Sequence, residues 1–185
     1  MVTLYKLTDQ EGYTQRKKPG ETQWYSGKTL KLPVCVDPQL CSVDVVHAYR
    51  NSNLALLLNP LHANIQKPLL WEAEGEIVIE DWGKVGCFVL TTTQRLKLPD
   101  WYLDNKKRQC MRIQFAVLCA EAVLSIFETK YPSDDRPRKA IKAAREYLAT
   151  NAARAAAYAA RAAAYAADTI DLCNLADIAA EMEKP

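Results

Sequence analysis

The sequence predicts an α+β fold, with a strand-rich domain over residues 1–103 and an alanine-rich helical domain over 104–185. Three observations predict it. The first half alternates short β-branched and aromatic runs with Gly, Pro and Asn turns. Composition then changes across Pro99–Asp104. Beyond that point apolar residues recur at helical spacing, and alanine becomes the commonest residue.

The elements follow in order. Thr3–Leu7 and Thr29–Leu32 read as short strands punctuated by Gly12, Pro19, Gly20 and Gly27. Val43–Tyr49 and Asn53–Leu58 read as a short helical passage stopped at Asn59-Pro60. Leu69–Ile79 sets Trp71, Ala73, Gly75, Ile77 and Ile79 against Glu72, Glu74 and Glu76, a half-buried strand with acids on one face. Asp81-Trp82-Gly83 turns the chain into a second strand, Val85–Thr92, giving an antiparallel hairpin.

Asp104 has the chemistry of an N-cap for a helix running to about Lys130, with apolar residues nearly all round its axis and hence largely buried. Tyr131-Pro132 ends it. Ser133 or Asp135 caps a second helix with Pro137 in its first turn, extending past Ala167. The tail Thr169–Glu183 is amphipathic, with Ile170, Leu172, Leu175, Ile178 and Met182 able to share a face. These long Ala-rich helices pack as a bundle.

Composition narrows the function classes. About half the chain is hydrophobic and the net charge is only +2, so a packed core is expected and nucleic-acid binding is disfavoured. Residues 1–103 carry 11 basic and 11 acidic residues, and 104–185 carry 13 and 11, so neither half is a basic module. The six cysteines form no CxxC pair and have no His at metal-ligand spacing; most read as buried thiols in a reducing compartment. No metal or cofactor is implied. The N-terminus lacks the apolar core of a signal peptide. The most apolar stretch, 152–167, is broken by Arg154 and Arg161, so no membrane association and a cytoplasmic location are expected, the host cytoplasm if the chain is phage-encoded.

The most specific local feature is the repeat RAAAYAA at 154–160 and again at 161–167. Seven residues make nearly two helical turns, so Tyr147, Arg154, Tyr158, Arg161, Tyr165 and Asp168 fall on one stripe. Guanidinium forks bind phosphate and Tyr rings stack on bases, so the stripe is a candidate nucleotide-type ligand site. The simpler alternative is that it keeps an Ala-rich helix soluble. A basic run, Arg136, Arg138, Lys139, Lys142 and Arg145, offers an anion or acidic-partner site, with Arg136 and Arg138 as further ligand candidates. The alternative pairs it with Glu128, Asp134 or Glu146. Glu72, Glu74 and Glu76 read as a solvated strand face. His47, near Asp44 and Cys41, raises a Cys–His nucleophilic pair, with no surrounding motif to support it.

Residues 112–148, RIQFAVLCAEAVLSIFETKYPSDDRPRKAIKAAREYL, carry a resemblance. The segment resembles an immunity protein family associated with bacterial polymorphic toxin systems. Its matching elements include Cys119-Ala120-Glu121, Phe127-Glu128 and the DDRPR run at 134–138. The resemblance implies a largely helical segment and an inhibitory binding role, with no catalytic residues. More loosely, Leu4-Tyr5-Lys6, Trp24, Gly27, Cys41 through Tyr49, Asn59-Pro60 and Trp71–Glu76 resemble an uncharacterised bacteriophage and prophage domain. The same strand and Cys…His-Ala-Tyr pattern resembles ADP-ribosyltransferase-like folds.

The leading expectation is a non-enzymatic binder, phage-encoded and counteracting host defence, that sequesters a nucleotide-derived small molecule or a host or toxin protein and forms a homo-oligomer. One alternative is a divergent ADP-ribosyl-transferring or nucleotide-processing enzyme, which requires His47, Tyr49 and one of Glu72, Glu74 or Glu76 to converge in a cleft. The other is a purely structural or assembly protein.

Overall fold

The long hairpin is the spine of the N-terminal half. In the computed structural model, which describes residues 1–14, 19–150 and 172–181, strands β4 (Leu69–Glu80) and β5 (Val85–Leu96) pair antiparallel from Leu70↔Leu96 to Glu80↔Val85. The Asp81 carboxylate makes the turn by accepting the backbone N–H groups of Gly83 and Lys84, each at 2.8 Å. Period-two patterning does the rest: Trp71, Ala73 and Gly75 are buried, while Glu74 and Glu76 are exposed.

Three shorter strands complete an antiparallel five-stranded sheet. Strand β1 (Val2–Thr8) pairs with β4, while β2 (Thr29–Lys31) and β3 (Val46–Ala48) pair with successive stretches of the other edge of β5. Tyr49, just after β3, then exchanges two backbone hydrogen bonds of 2.8 Å with Tyr5 of β1. The sheet therefore curls until its first strand meets the end of its third. Register shifts between β4 and β5 at Glu72/Ala73, Gly75/Ile77 and Ile77/Ile79 bend the hairpin enough for this closure. Gly86 is required there: a Cβ would lie 2.6 Å from Val45 Cγ2 and 2.8 Å from Ile79 Cγ2. Inside the curl Leu4, Trp24, Val46, Ala48, Ala73, Val85, Cys87 and Leu90 form the core.

The structure corrects the reading of 43–62. Val46–Ala48 is a strand, because its buried Val46 and Ala48 fit the pleat beside Cys87 and Val85. Helix α1 (Ser52–His62), capped by Asn51 accepting Leu54 N–H at 2.9 Å, runs through Pro60 rather than stopping before it. The buried Asn59 supports that last turn: its side chain donates to the Ile65 carbonyl at 2.8 Å and accepts the Ile65 N–H at 3.0 Å.

The chain divides into two compact units, Met1–Pro99 and Asp100–Pro185. The second is helical: α2 (Asp100–Leu103), α3 (Asn105–Lys130), α4 (Arg136–Thr150) and α5 (Leu172–Glu181). Asp104 caps α3 as its chemistry predicts, accepting Lys106 and Lys107 N–H at 2.7 and 2.9 Å. Helices α3 and α4 pack antiparallel, with Ile113, Ala116, Val117, Ala120, Ile141, Ala144 and Tyr147 in one core cluster. Three alanines in that cluster allow close helix approach. On α5 the buried side chains are Ala176 and Ala179, whereas Ile178 is exposed. Of the face read in the sequence, the described member Ile178 is thus exposed.

Among the described residues, the longest apolar stretch lies in α3. An 18-residue window of α3 has a mean hydropathy of 1.7, long and apolar enough to cross a membrane by length and composition, and half of it is buried in the fold. The RAAAYAA repeat lies outside the described residues.

Candidate functional site

A cleft of about 740 Å³ opens on the N-terminal unit. Six pieces of chain build its wall, one of them Thr14 from the loop after β1. Lys6 comes from β1, His47 and Tyr49 from β3 and the residue after it, and His62 from the end of α1. Lys84 comes from the β4–β5 turn, and Cys41-Ser42 from the loop before β3. Among its lining residues there are two lysines and two histidines, hydroxyls from Thr14, Ser42 and Tyr49, and no carboxylate. The nearby acids serve the loops: Asp81 caps its turn, and Glu21 accepts the Thr14 N–H at 2.5 Å and its hydroxyl at 2.8 Å.

Lys6 is the unusual member. Strand alternation turns it inward on the Leu4 face, and only 6% of it is exposed. Its ammonium donates to the His47 carbonyl at 2.9 Å and lies 4.6 Å from the centre of the Trp24 ring. No ion pair joins it to a carboxylate among the described residues. Burial pulls its pKa down to about 8, opposed by the negative charge of Glu21.

The histidines are held neutral. His47 Nε2 accepts the Cys41 N–H at 2.9 Å, which places its proton on Nδ1. Burial, reinforced by Lys84 and Lys6, lowers its pKa to about 4. Burial also lowers the pKa of His62, whose Nδ1 meets the Tyr49 hydroxyl at 3.1 Å while the two rings stack at 5.8 Å. This predicts an acid response. With His47 at about 4 in the fold against 6.5 as the ordinary value, the unfolded chain binds more protons between those limits. The associated stability is complete above pH 6.5 and is lost as the pH falls through 4. Urea unfolding at pH 7 and pH 4.5 should differ by on the order of 2 kcal/mol from this group, after allowance for its partial exposure. His47→Gln, which can still accept the Cys41 N–H, should flatten that difference.

The nucleophilic pair considered from the sequence is not formed. His47 engages the Cys41 backbone, while the Cys41 thiol contacts the Lys84 ammonium. Cys41 itself sits at φ 65°, an uncommon conformation for a side chain other than Gly, Asn or Asp. Among the described cysteines, Cys87 and Cys119 are the buried ones, their thiols pushed up by burial to about 11 and about 12; Cys41 is exposed. The convergence that the enzyme alternative required is also missing. His47 and Tyr49 line the cleft, but Glu72, Glu74 and Glu76 do not. Glu72 instead accepts from Thr93 and Gln94 on the neighbouring strand.

The basic run of α4 is paired throughout. Arg138 forks onto Glu128 with two 2.8 Å hydrogen bonds, and Arg145 onto Glu121 with two at 2.7 Å. Rising numbers on α4 meet falling numbers on α3, so these bidentate pairs fix the antiparallel register. Arg136 forks onto Asp134 at 2.8 and 2.6 Å, a contact that holds that carboxyl down to about 2. Lys139 pairs with Asp135 and Lys142 with Glu146. Yet the outer surface stays charged and open: the side chains of Arg136, Lys139 and Lys142 are 86%, 73% and 78% exposed. Of the candidate ligand residues, the structure thus describes Arg136 and Arg138; Arg154, Tyr158, Arg161 and Tyr165 lie outside the described residues. Lys6 and Lys84 were missed, because β1 and the β4–β5 turn meet only through the sheet's closure.

Residues 102–172 match the Imm-5 like putative immunity protein family. The Imm-5 like segment begins in α2, contains the α3–α4 hairpin and reaches the start of α5. It encloses the 112–148 stretch that carried the resemblance in the sequence and lies wholly in the C-terminal half. Searches of curated proteins and of solved structures returned no match.

Proposed function

We propose that this chain is a non-enzymatic inhibitor that neutralises a protein toxin by binding it through the Imm-5 like helical segment. The observation that carries the reading is the family match, which coincides with a helical hairpin built as a firm surface. An alanine-packed interface and two bidentate Arg–Glu pairs hold α3 against α4, so little ordering entropy is lost on association. Exposed Arg136, Lys139 and Lys142, each beside a carboxylate of Asp134, Asp135 or Glu146, give the hairpin a charged outer face that can exchange ion pairs with a partner surface.

The test is growth rescue. Bacteria expressing polymorphic toxin domains would be co-transformed with the full chain. Rescue is expected for a cognate toxin. The double variant Lys139→Glu/Lys142→Glu, with an unchanged melting temperature, should lower rescue at least tenfold. Rescue that survives that charge reversal would remove α4 from the interface.

A second reading is favoured by the RAAAYAA repeat: a phage-encoded, oligomeric protein that sequesters a nucleotide-type signal of host defence on Arg154, Tyr158, Arg161 and Tyr165. It predicts that an Arg154→Ala/Arg161→Ala variant loses a nucleotide-sized mass in native mass spectrometry while its assembly persists.

A further inference from the structure

We propose that the cleft of the N-terminal unit is a binding site for a phosphate-bearing small molecule, held between the ammonium groups of Lys6 and Lys84. The site draws on residues of the N-terminal unit alone, and its failure would leave both of the readings above standing.

Three observations converge on it. First, the described lining contains two ammonium groups and no carboxylate. Its three hydroxyls are already engaged, Thr14 with Glu21, Ser42 with Asp44 and Tyr49 with His62, so the two lysines are the donors left to an anion. Second, Lys6 is a buried ammonium whose described contacts are one carbonyl and one aromatic face. A buried charge with no ion partner opposes folding, and an apolar side chain of similar length would fill the same space at lower cost. A bound anion supplies the missing partner. Third, Lys84 reaches the cleft from a tight turn whose backbone is fixed by Asp81, so its ammonium is placed without ordering a long loop.

The chemistry of the wall favours phosphate over carboxylate. A phosphate monoester offers three anionic oxygens at one centre, enough to accept from both lysines at the same time. The space, about 740 Å³, falls within the range of small-molecule sites and far exceeds one phosphate ion. His62 and Tyr49 stack at the same wall, with Trp82 6.0 Å from His62, and present aromatic surface beside the donors.

Isothermal titration of the full chain with inorganic phosphate, adenosine monophosphate and adenosine tests the site at pH 7. Binding of a phosphate-bearing probe, and none of adenosine, is expected. Adenosine monophosphate binding at least tenfold more tightly than phosphate would identify an organic phosphate ester as the ligand. Equal affinities would identify free phosphate. Lys84→Gln, at a half-buried turn position, should weaken binding at least tenfold with the melting temperature unchanged. Lys6→Met should weaken it at least tenfold with the melting temperature unchanged or raised, an outcome that a merely structural lysine would not give. No binding of phosphate or its ester at millimolar concentration overturns the proposal. So does binding that both substitutions leave intact.

Discussion

Trp24→Ala is expected to destabilise the N-terminal unit by about 3–5 kcal/mol, the range for removing a large aromatic side chain from a core. Trp24 is 4% exposed and packs with Leu4, Val46, Ala73 and Leu90. Truncation removes that contact and leaves a cavity that the pleated walls cannot collapse to fill, because β1, β4 and β5 are tied by continuous ladders. It also strips the buried Lys6 ammonium of its aromatic face. The loop carrying Trp24 is anchored at Gly12, whose carbonyl accepts the Trp24 N–H at 2.8 Å and whose φ of +89° suits glycine. A loss of this size approaches the whole stability of a small domain. Urea unfolding followed by circular dichroism measures it. Adding Lys6→Met to Trp24→Ala should recover part of the loss, since the double variant no longer buries a charge without its platform. Strictly additive effects would contradict that coupling.

Ala144→Leu carries the second large effect, an expected loss of about 1–3 kcal/mol in the helical unit. Ala144 is fully buried in the cluster that joins α3 to α4, beside residues as small as Ala116 and Ala120. Three added carbons force the helices apart or out of register. The Glu128–Arg138 and Glu121–Arg145 forks would then be pulled from their bidentate geometry. Leucine has nearly the helix propensity of alanine, so the loss reports packing rather than local helix formation. Ala144→Gly is the control: it keeps the space and costs about 1 kcal/mol through propensity alone. Thermal melts of the two variants, read beside toxin inhibition, separate a damaged surface from an unfolded one. Equal melting temperatures for Ala144→Leu and the parent chain would mean that the alanine interface is not tight.

Local chemistry was the legible part of this fold. The Asp81 turn, the Asp104 cap and the alternation of β4 are decided by a few neighbouring residues, and each appears where the sequence places it. Long-range pairing was not legible. Val43–Tyr49 has the apolar content of a helix as much as of a strand, and only the free edge of β5 makes Val46–Ala48 a strand. Pro60 was read as a stop, yet a proline near the end of α1 is tolerated there because Asn59 secures the turn with its side chain. The basic run on α4 was divided between an anion site and internal pairing. Geometry assigns carboxylate partners to all five cations: three pair locally, while Glu121 and Glu128 of α3 come into reach of Arg145 and Arg138 only when the helices fold back on each other. The cleft illustrates the same limit. Lys6, His47, His62 and Lys84 are spread over almost eighty residues, and nothing in their spacing announces that they share a wall.

An inhibitor that acts as proposed, through residues 102–172, acts by stoichiometric binding. The most direct measurement titrates a fixed concentration of an active cognate toxin domain with the full chain and follows the toxin's activity to its endpoint. The account predicts a linear fall that ends near one chain per toxin, with intact toxin recovered when the complex is dissociated. Complete inactivation by a small fraction of an equivalent, or toxin recovered in a chemically altered form, would show turnover and contradict it.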